Sequence, residues 1–299
     1  MKLPSLIPRL SFDRLTKLCQ TGASLLDAGA REEIATFLAT QRLASGAFHG
    51  PGGKDDLYYT TFGLALCRAL DVPPPAVEPW LDGFGDGEGL TLVHLSSLAI
   101  ARNNLCATPA PKDWRRRLVG EQLERFRQAD GGFSDEAGVD YGTPYGGYLA
   151  TLAAHSLGVR LRHFGRVVAT AQRCQAGDGG YAEHPEASRG TVPSTLAMLA
   201  LRALRWKRPA RREIEWFEQC RRGDGFAAAP DVPVPDLLCT ATLLAANRQQ
   251  RLGIPVAKRT IAEFVESCWA PDGGFGAAPG TKADTEYTFY ALLALGSLA

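Results

Sequence analysis

Carboxylates, a thiol and a set of tyrosines stand at the start of the uncharged stretches of this 299-residue chain, where side-chain type and spacing allow chemistry. Asp55 and Asp56 are an adjacent acidic pair in front of Leu57-Tyr58-Tyr59. Asp236 precedes Cys239 by three residues, and Asp284 precedes Glu286 by two. Thiolate sulfur and carboxylate oxygen are both good zinc donors, so Asp236, Cys239, Asp284 and Glu286 form a candidate metal set if their segments are neighbours. Tyr58, Tyr141, Tyr145 and Tyr287 are candidate ligand-binding residues, each with an apolar ring and a hydrogen-bonding tip. An aspartate in front of a helix also accepts hydrogen bonds from the first free N–H groups, and that alone accounts for Asp56, Asp236 and Asp284. Both readings are open at this point.

These residues are placed by a repeat. Asp130-Gly131-Gly132-Phe133, Asp178-Gly179-Gly180-Tyr181, Asp224-Gly225-Phe226 and Asp272-Gly273-Gly274-Phe275 are four clear copies of one turn. Gly46-Ala47-Phe48 and Gly87-Glu88-Gly89-Leu90 are worn copies. The six marker positions, 48, 90, 133, 181, 226 and 275, are spaced by 42, 43, 48, 45 and 49 residues. Such a period means one supersecondary unit copied along the chain.

Each unit reads as helix, glycine turn, loop, helix. The first helix is amphipathic: Ile214, Trp216, Phe217 and Cys220 are apolar among charged neighbours, the pattern of one buried stripe. Glycine suits the left-handed backbone that closes such a helix. The second helix, as in 145–154, 192–201 and 287–299, is apolar nearly all round and must be buried on all sides. Two concentric layers result, with Gly63, Ala65, Ala150, Ala153, Ala197, Ala241 and Ala291 letting the inner helices approach closely. Strands are not expected. The predicted fold is all-α, an (α/α)6 toroid forming one domain over 1–299, with an N-terminal helical cap in 1–34 (helix about 12–26) and six repeats in 35–299. Inner axes about 10 Å apart leave a central opening about 10 Å across, wide enough for a hydrocarbon chain. Parallel inner helices would present their N-termini on one rim, which favours an anionic head group above an apolar lumen.

Composition narrows the function classes. Lys and Arg total 33 against 32 Asp and Glu, so no global field draws in nucleic acid or acidic lipid. Arg115-Arg116-Arg117 and Arg211-Arg212 read as solvated faces of outer helices. Seven scattered cysteines point to a reducing, cytoplasmic setting. Cys174, Cys220 and Cys268, each four residues before its turn aspartate, read as small buried apolar positions. The N-terminus lacks the apolar run of a signal peptide, and no stretch is long enough to span a membrane. His94 reads as a core histidine.

Gln128-Ala129-Asp130-Gly131-Gly132-Phe133 and Gln175 to Tyr181, each followed by an apolar helix, resemble the repeat of the prenyltransferase β-subunit and squalene/terpenoid cyclase superfamily. The resemblance spans residues from about 35 to 299 and implies an α/α toroid. For a prenyltransferase it implies transfer of an isoprenoid from its diphosphate to a cysteine thiol, a separate helical α-subunit, and a zinc held by an Asp-x-Cys pair and a His. Cys239 falls on the cysteine position, but Leu237 stands two residues before it, with Asp236 one further, and Tyr287 stands on the His position. The zinc set is therefore incomplete, and Asp236 and Cys239 remain the candidate catalytic pair. Arg189 and Tyr145 lie on loops equivalent to those that hold diphosphate in the family. For a cyclase the resemblance implies an Asp-x-Asp-Asp acid, for which Asp55 and Asp56 are the candidates. Three functions are thus expected to compete: an isoprenoid-diphosphate enzyme, a small terpenoid cyclase, and a toroid that binds a hydrophobic ligand without chemistry.

Overall fold

The computed structural model describes residues 11–108, 110–136, 138–205 and 207–299. In chain order its helices are α1 (Phe12–Leu25), α2 (Ala28–Thr40), α3 (Leu57–Leu70), α4 (Glu78–Asp82), α5 (Leu92–Ile100), α6 (Lys112–Arg117), α7 (Pro144–Ser156), α8 (Phe164–Gln172), α9 (Val192–Ala203), α10 (Arg211–Gln219), α11 (Leu237–Gln250), α12 (Lys258–Ser267) and α13 (Thr285–Leu298). Wider and tighter turns prolong α5 to Leu105 and α6 to Phe126.

The odd-numbered helices from α3 to α13 form the inner ring. Each packs on the next, and α13 packs back on α3, so the ring is closed. The even-numbered helices lie outside. Gly132 meets Thr170 of α8, Gly180 meets Trp216 of α10 and Gly225 meets Phe264 of α12, so each turn is covered by the next outer helix. The last turn is covered by the first outer helix, because Gly273 and Gly274 meet Glu33 and Phe37 of α2. The outer layer therefore closes at the same seam. The first outer helix, α2, begins at Ala28.

The glycine turns differ from the expected helix caps. The outer helices end several residues earlier in right-handed residues such as Gln41, Arg173, Cys220 and Cys268. The chain then enters a small antiparallel hairpin, bridged at Arg42 and Phe48, Arg127 and Phe133, Gln175 and Tyr181, and Trp269 and Phe275. Around the fifth turn it becomes a two-residue ribbon, β1 (Arg221–Arg222) with β2 (Gly225–Phe226), where no strand was expected. Gly46, Gly131, Gly179 and Gly273 adopt φ of 84°, 90°, 105° and 85°, the region only glycine enters without strain. The turn aspartate staples the loop that leads inward: Asp130 accepts from Gly132 N and Gly142 N, and Asp178 from Gly180 N and Gly190 N. A threonine on the inner helix takes the N–H of the turn aromatic. Thr60, Thr195, Thr240 and Thr288 accept from Phe48, Tyr181, Phe226 and Phe275. Cys174, Cys220 and Cys268 are buried and free, in keeping with their spacing.

The N-terminal helix clasps the seam of the ring. α1 packs on both α13 and α3 at the seam. Phe12 stacks on Phe289 at 5.6 Å and meets Phe62 at 6.4 Å. Lower down, two glycines bring the backbones of α1 and α13 into contact: a Cβ on Gly22 would overlap the carbonyl of Leu292, and one on Gly296 that of Leu18. Among the described residues no helix is long and apolar enough to cross a membrane.

Gly296→Ala is expected to cost about 3 kcal/mol through forced separation of the two helices. Gly120→Ala, where a Cβ meets nothing within 4 Å, is expected to cost little. Urea denaturation of both variants tests this, and equal midpoints would contradict it.

Candidate functional site

All six inner helices start at one rim, and each start is capped by a side chain. Asp56 accepts from Tyr58 N and Tyr59 N, Thr91 from His94 N, Thr143 from Gly146 N, Thr191 from Ser194 N, Asp236 from Cys239 N and Asp284 from Tyr287 N. Asp135, from the loop before α7, caps Leu92 N in addition. These caps take part of the N–H groups that an anionic head group would use, and four of the acceptors are carboxylates. Helix dipoles at this mouth are offset by the chain's own acids. Capping accounts for Asp56, Asp236 and Asp284 as far as geometry goes, and burial raises the pKa of Asp236 and of Asp284.

Below the rim several inner helices keep one half-buried face, packed at its edges on the core. On α11 it is Leu238, Thr242 and Ala246, spaced four apart and half-buried; on α9 it is Leu196 and Ala200. Tyrosines continue this face: Tyr58 on α3, Tyr145 and Tyr148 on α7, and Tyr290 on α13. Tyr145 is 40% exposed and the other three are half-buried. Their phenols are nevertheless desolvated, with Tyr145 pushed up to about 12 and Tyr58, Tyr148 and Tyr290 higher still. Side chains touched by solvent yet surrounded by protein line a concave lumen. The rings interlock: Tyr58 meets Phe62 edge-on at 4.9 Å, Phe62 meets Tyr290 at 5.7 Å, and Tyr145 stacks with Tyr148 at 6.4 Å.

Glu286 is the carboxyl inside this wall. It is 7% exposed, and Oε1 accepts a 2.6 Å hydrogen bond from the Tyr58 hydroxyl across the seam. Tyr290 and Tyr145 also feel its charge. Burial raises Glu286 to about 7; the Tyr58 hydrogen bond works in the opposite direction, and the negative charges of Asp284 and Asp56 add to the rise. Loss of water outweighs one donor here.

The remaining candidate residues are dispersed. Asp55 is exposed in the loop before α3. Tyr141 lies in the loop before α7, its ring 6.5 Å from that of His184. Arg189 pairs with Asp231, so its charge is spent within the rim loops. Tyr287 packs edge-on against Tyr290 at the mouth. Phe289, two residues on, is turned into the seam against Phe12. His94 is not a core residue: it is half-buried at the rim, with Nε2 3.9 Å from Asp56 Oδ2.

The zinc that the family resemblance implies does not fit these residues. Asp236 and Cys239 do meet, through the cap, but Cys239 is 2% exposed. Burial and then the charge of Asp236 push its thiol far up, the reverse of a poised thiolate. Glu286 faces α3, and Tyr287 offers a phenol whose pKa burial raises to about 12. Among the described residues no three His, Cys, Asp or Glu side chains are gathered to hold one ion. Sequence reasoning named Glu286 only as a candidate metal ligand, not as a buried acid, and missed the Asp135 cap. Glu286 shows its role only once α13 is set beside α3.

Comparison with known proteins gives three findings. The family model of the prenyltransferase alpha-alpha toroid domain matches residues 15–227 and again residues 144–299. No curated protein matches the chain. Among solved structures, a Candida albicans protein geranylgeranyltransferase-I complexed with GGPP is similar at 15% identity and a TM-score of 0.48, over 99% of this chain and 86% of that one.

Glu286 makes stability depend on pH in a stated direction. An ordinary glutamate titrates near 4.5 and this one near 7, so between those values the folded state holds a proton that the unfolded state has lost. Its contribution is complete below 4.5 and is lost as pH rises to 7, a fall on the order of 3 kcal/mol. Glu286→Gln is expected to remove that component, which urea denaturation between pH 4.5 and 8 would show as a flatter profile. Parallel profiles would contradict it.

Proposed function

Because the chain belongs to the prenyltransferase alpha-alpha toroid family, we propose that its lumen receives an isoprenoid chain, tail down among the inner helices and head at the tyrosine-lined mouth. The aromatic wall of Tyr58, Phe62, Tyr145, Tyr148 and Tyr290 carries this reading, continued below by Leu196, Ala200, Leu238 and Ala246. Burying a hydrocarbon tail there is favourable at about 0.8 kcal/mol per methylene. The head group meets phenols and carboxylates. A neutral prenol finds hydrogen-bond partners as the mouth stands, whereas a diphosphate must bring a divalent cation to offset the carboxylates of the caps. With Cys239 neutral and buried, the reading is binding, without thiol alkylation on a zinc.

A second reading, terpenoid cyclase-like chemistry, is favoured by one observation. Glu286 is a carboxyl held protonated near neutrality within an aromatic wall, whereas Asp55 is exposed outside it. In such a step the Glu286 proton would add to an alkene carbon, leaving a carboxylate beside the Tyr58 hydroxyl and a cation facing aromatic rings.

Native mass spectrometry and thermal shift with farnesol, geranylgeraniol and their diphosphates, with and without Mg²⁺, test the first reading. Stabilisation by the alcohols, and by diphosphates chiefly with Mg²⁺, is expected. Ala200→Phe, which fills the lumen, is expected to abolish it without unfolding the protein. No stabilisation by any isoprenoid would refute the reading. For the second, Glu286→Gln is expected to keep binding and lose turnover of a linear terpene, while Asp55→Asn changes neither; turnover that survives Glu286→Gln would remove it.

A further inference from the structure

At the opposite end of the ring a second site is built from positive groups. The loop after α7 turns back into α8 and, with the residues beyond α9, encloses an open cavity of about 780 Å³. Arg160, Arg162, His163 and Arg205 line it, with Phe164 and Gly165 at the start of α8, and no carboxylate does. From residue 141 to 177 the chain carries four arginines and neither Asp nor Glu. Several guanidinium groups elsewhere are matched, among them Arg102 with Asp82, Arg117 with Asp86, Arg127 with Glu124, Arg173 with Asp130 and Arg202 with Glu213, whereas the cavity gathers three that are not. Those of Arg160, Arg162 and Arg205 have no ion pair among the described residues.

The helix end beside them is also unmatched. The six inner helices all carry side-chain caps, but α8 starts from His163 without one. His163 holds φ of 52°, a left-handed conformation that turns the chain into the helix with the first N–H groups uncovered. Arg205 lies against this end, since a Cβ on Gly165 would come within 3.0 Å of its Nη1. Guanidinium groups and a helix N-terminus repel one another when brought together without a counter-ion. Charge of the opposite sign from outside the chain would relieve that repulsion.

We propose that this cavity binds a phosphate group carrying two or more negative charges. Forked guanidinium donors match phosphate oxygens in pairs, and the free N–H groups of α8 add donors in a fixed direction. A single carboxylate would leave most of the positive charge unmet. The site lies at the other end of the ring from the tyrosine mouth and does not depend on an isoprenoid in the lumen. Its phosphate could be that of a soluble ester or of a lipid head group exposed at a membrane surface.

Isothermal titration with pyrophosphate and co-sedimentation with phosphatidylcholine vesicles, with and without phosphatidic acid, test it on the full chain. Pyrophosphate binding, or sedimentation that requires phosphatidic acid, is expected. Arg160→Gln and Arg205→Gln are each expected to weaken it about tenfold, the worth of one charge-assisted contact. Arg116→Gln, on an exposed outer face, is expected to leave it unchanged. Circular dichroism checks that each variant is folded, and Arg162→Gln replaces either one that is not. Pyrophosphate binding would assign a soluble ligand, and phosphatidic acid binding alone a lipid. Binding of neither, or an equal effect of Arg116→Gln and the cavity variants, would overturn the proposal.

Discussion

The contact on which the rest depends is the seam where the last inner helix meets the first. A ring of helical hairpins has no covalent reason to close, and six repeats could equally form an open superhelix with two exposed ends. Here the ends are joined three ways. α13 packs on α3, the last glycine turn sits under α2, and α1 lies across both partners with its backbone against that of α13 at Gly22 and Gly296. Small residues allow helix axes to approach far closer than leucine would, and Phe12 fills the upper part of the groove with an aromatic stack. Closure turns the apolar faces of six helices from a surface liability into the wall of a lumen.

The chemistry of the mouth is a consequence of that joint. Tyr58 and Glu286 are 228 residues apart in the chain and 2.6 Å apart in space. Without the seam Glu286 would be an ordinary first-turn acid, solvated and ionised. With it, the carboxyl loses water, gains one donor and shares a wall with Tyr145 and Tyr290. The same ring sets opposite electrostatic characters at its two ends. Three of the six inner-helix starts are capped by aspartate and Asp135 adds a fourth carboxylate, so the mouth is carboxylate-rich; at the other end the α7–α8 loop and the end of α9 bring arginines together without counter-ions. A chain with nearly balanced total charge is therefore polar along the ring axis.

Much of the architecture was legible because it rests on local rules repeated six times. Turn spacing, the largely apolar inner helices and the buried cysteines each derive from one repeat, and each is found in place. Thr60, Thr195, Thr240 and Thr288, four residues after their caps, were an equally periodic signal that passed unread; they explain why the turn aromatic is locked to the helix behind it. The site was less legible for a physical reason. Capping geometry is local, so Asp56, Asp236 and Asp284 could be placed, yet whether a helix end stays open to a ligand depends on what its own caps leave free. The role of Glu286 needs the partner across the seam, and the clasp needs Gly22 and Gly296 to meet. Neither glycine signals anything until the other is beside it. The arginine cavity likewise joins the end of one repeat to the end of the next.

Closure itself is open to direct measurement. Spin labels on exposed Glu32 of α2 and exposed Asp272 of the last turn, with the partly accessible Cys106 replaced, report the distance between the first and sixth repeats by double electron–electron resonance. The closed ring requires one short, narrow distance distribution, because the neighbouring Glu33 and Gly273 are in contact. A long or broad distribution would mean that the ends do not meet, and the lumen with its buried acid would not exist.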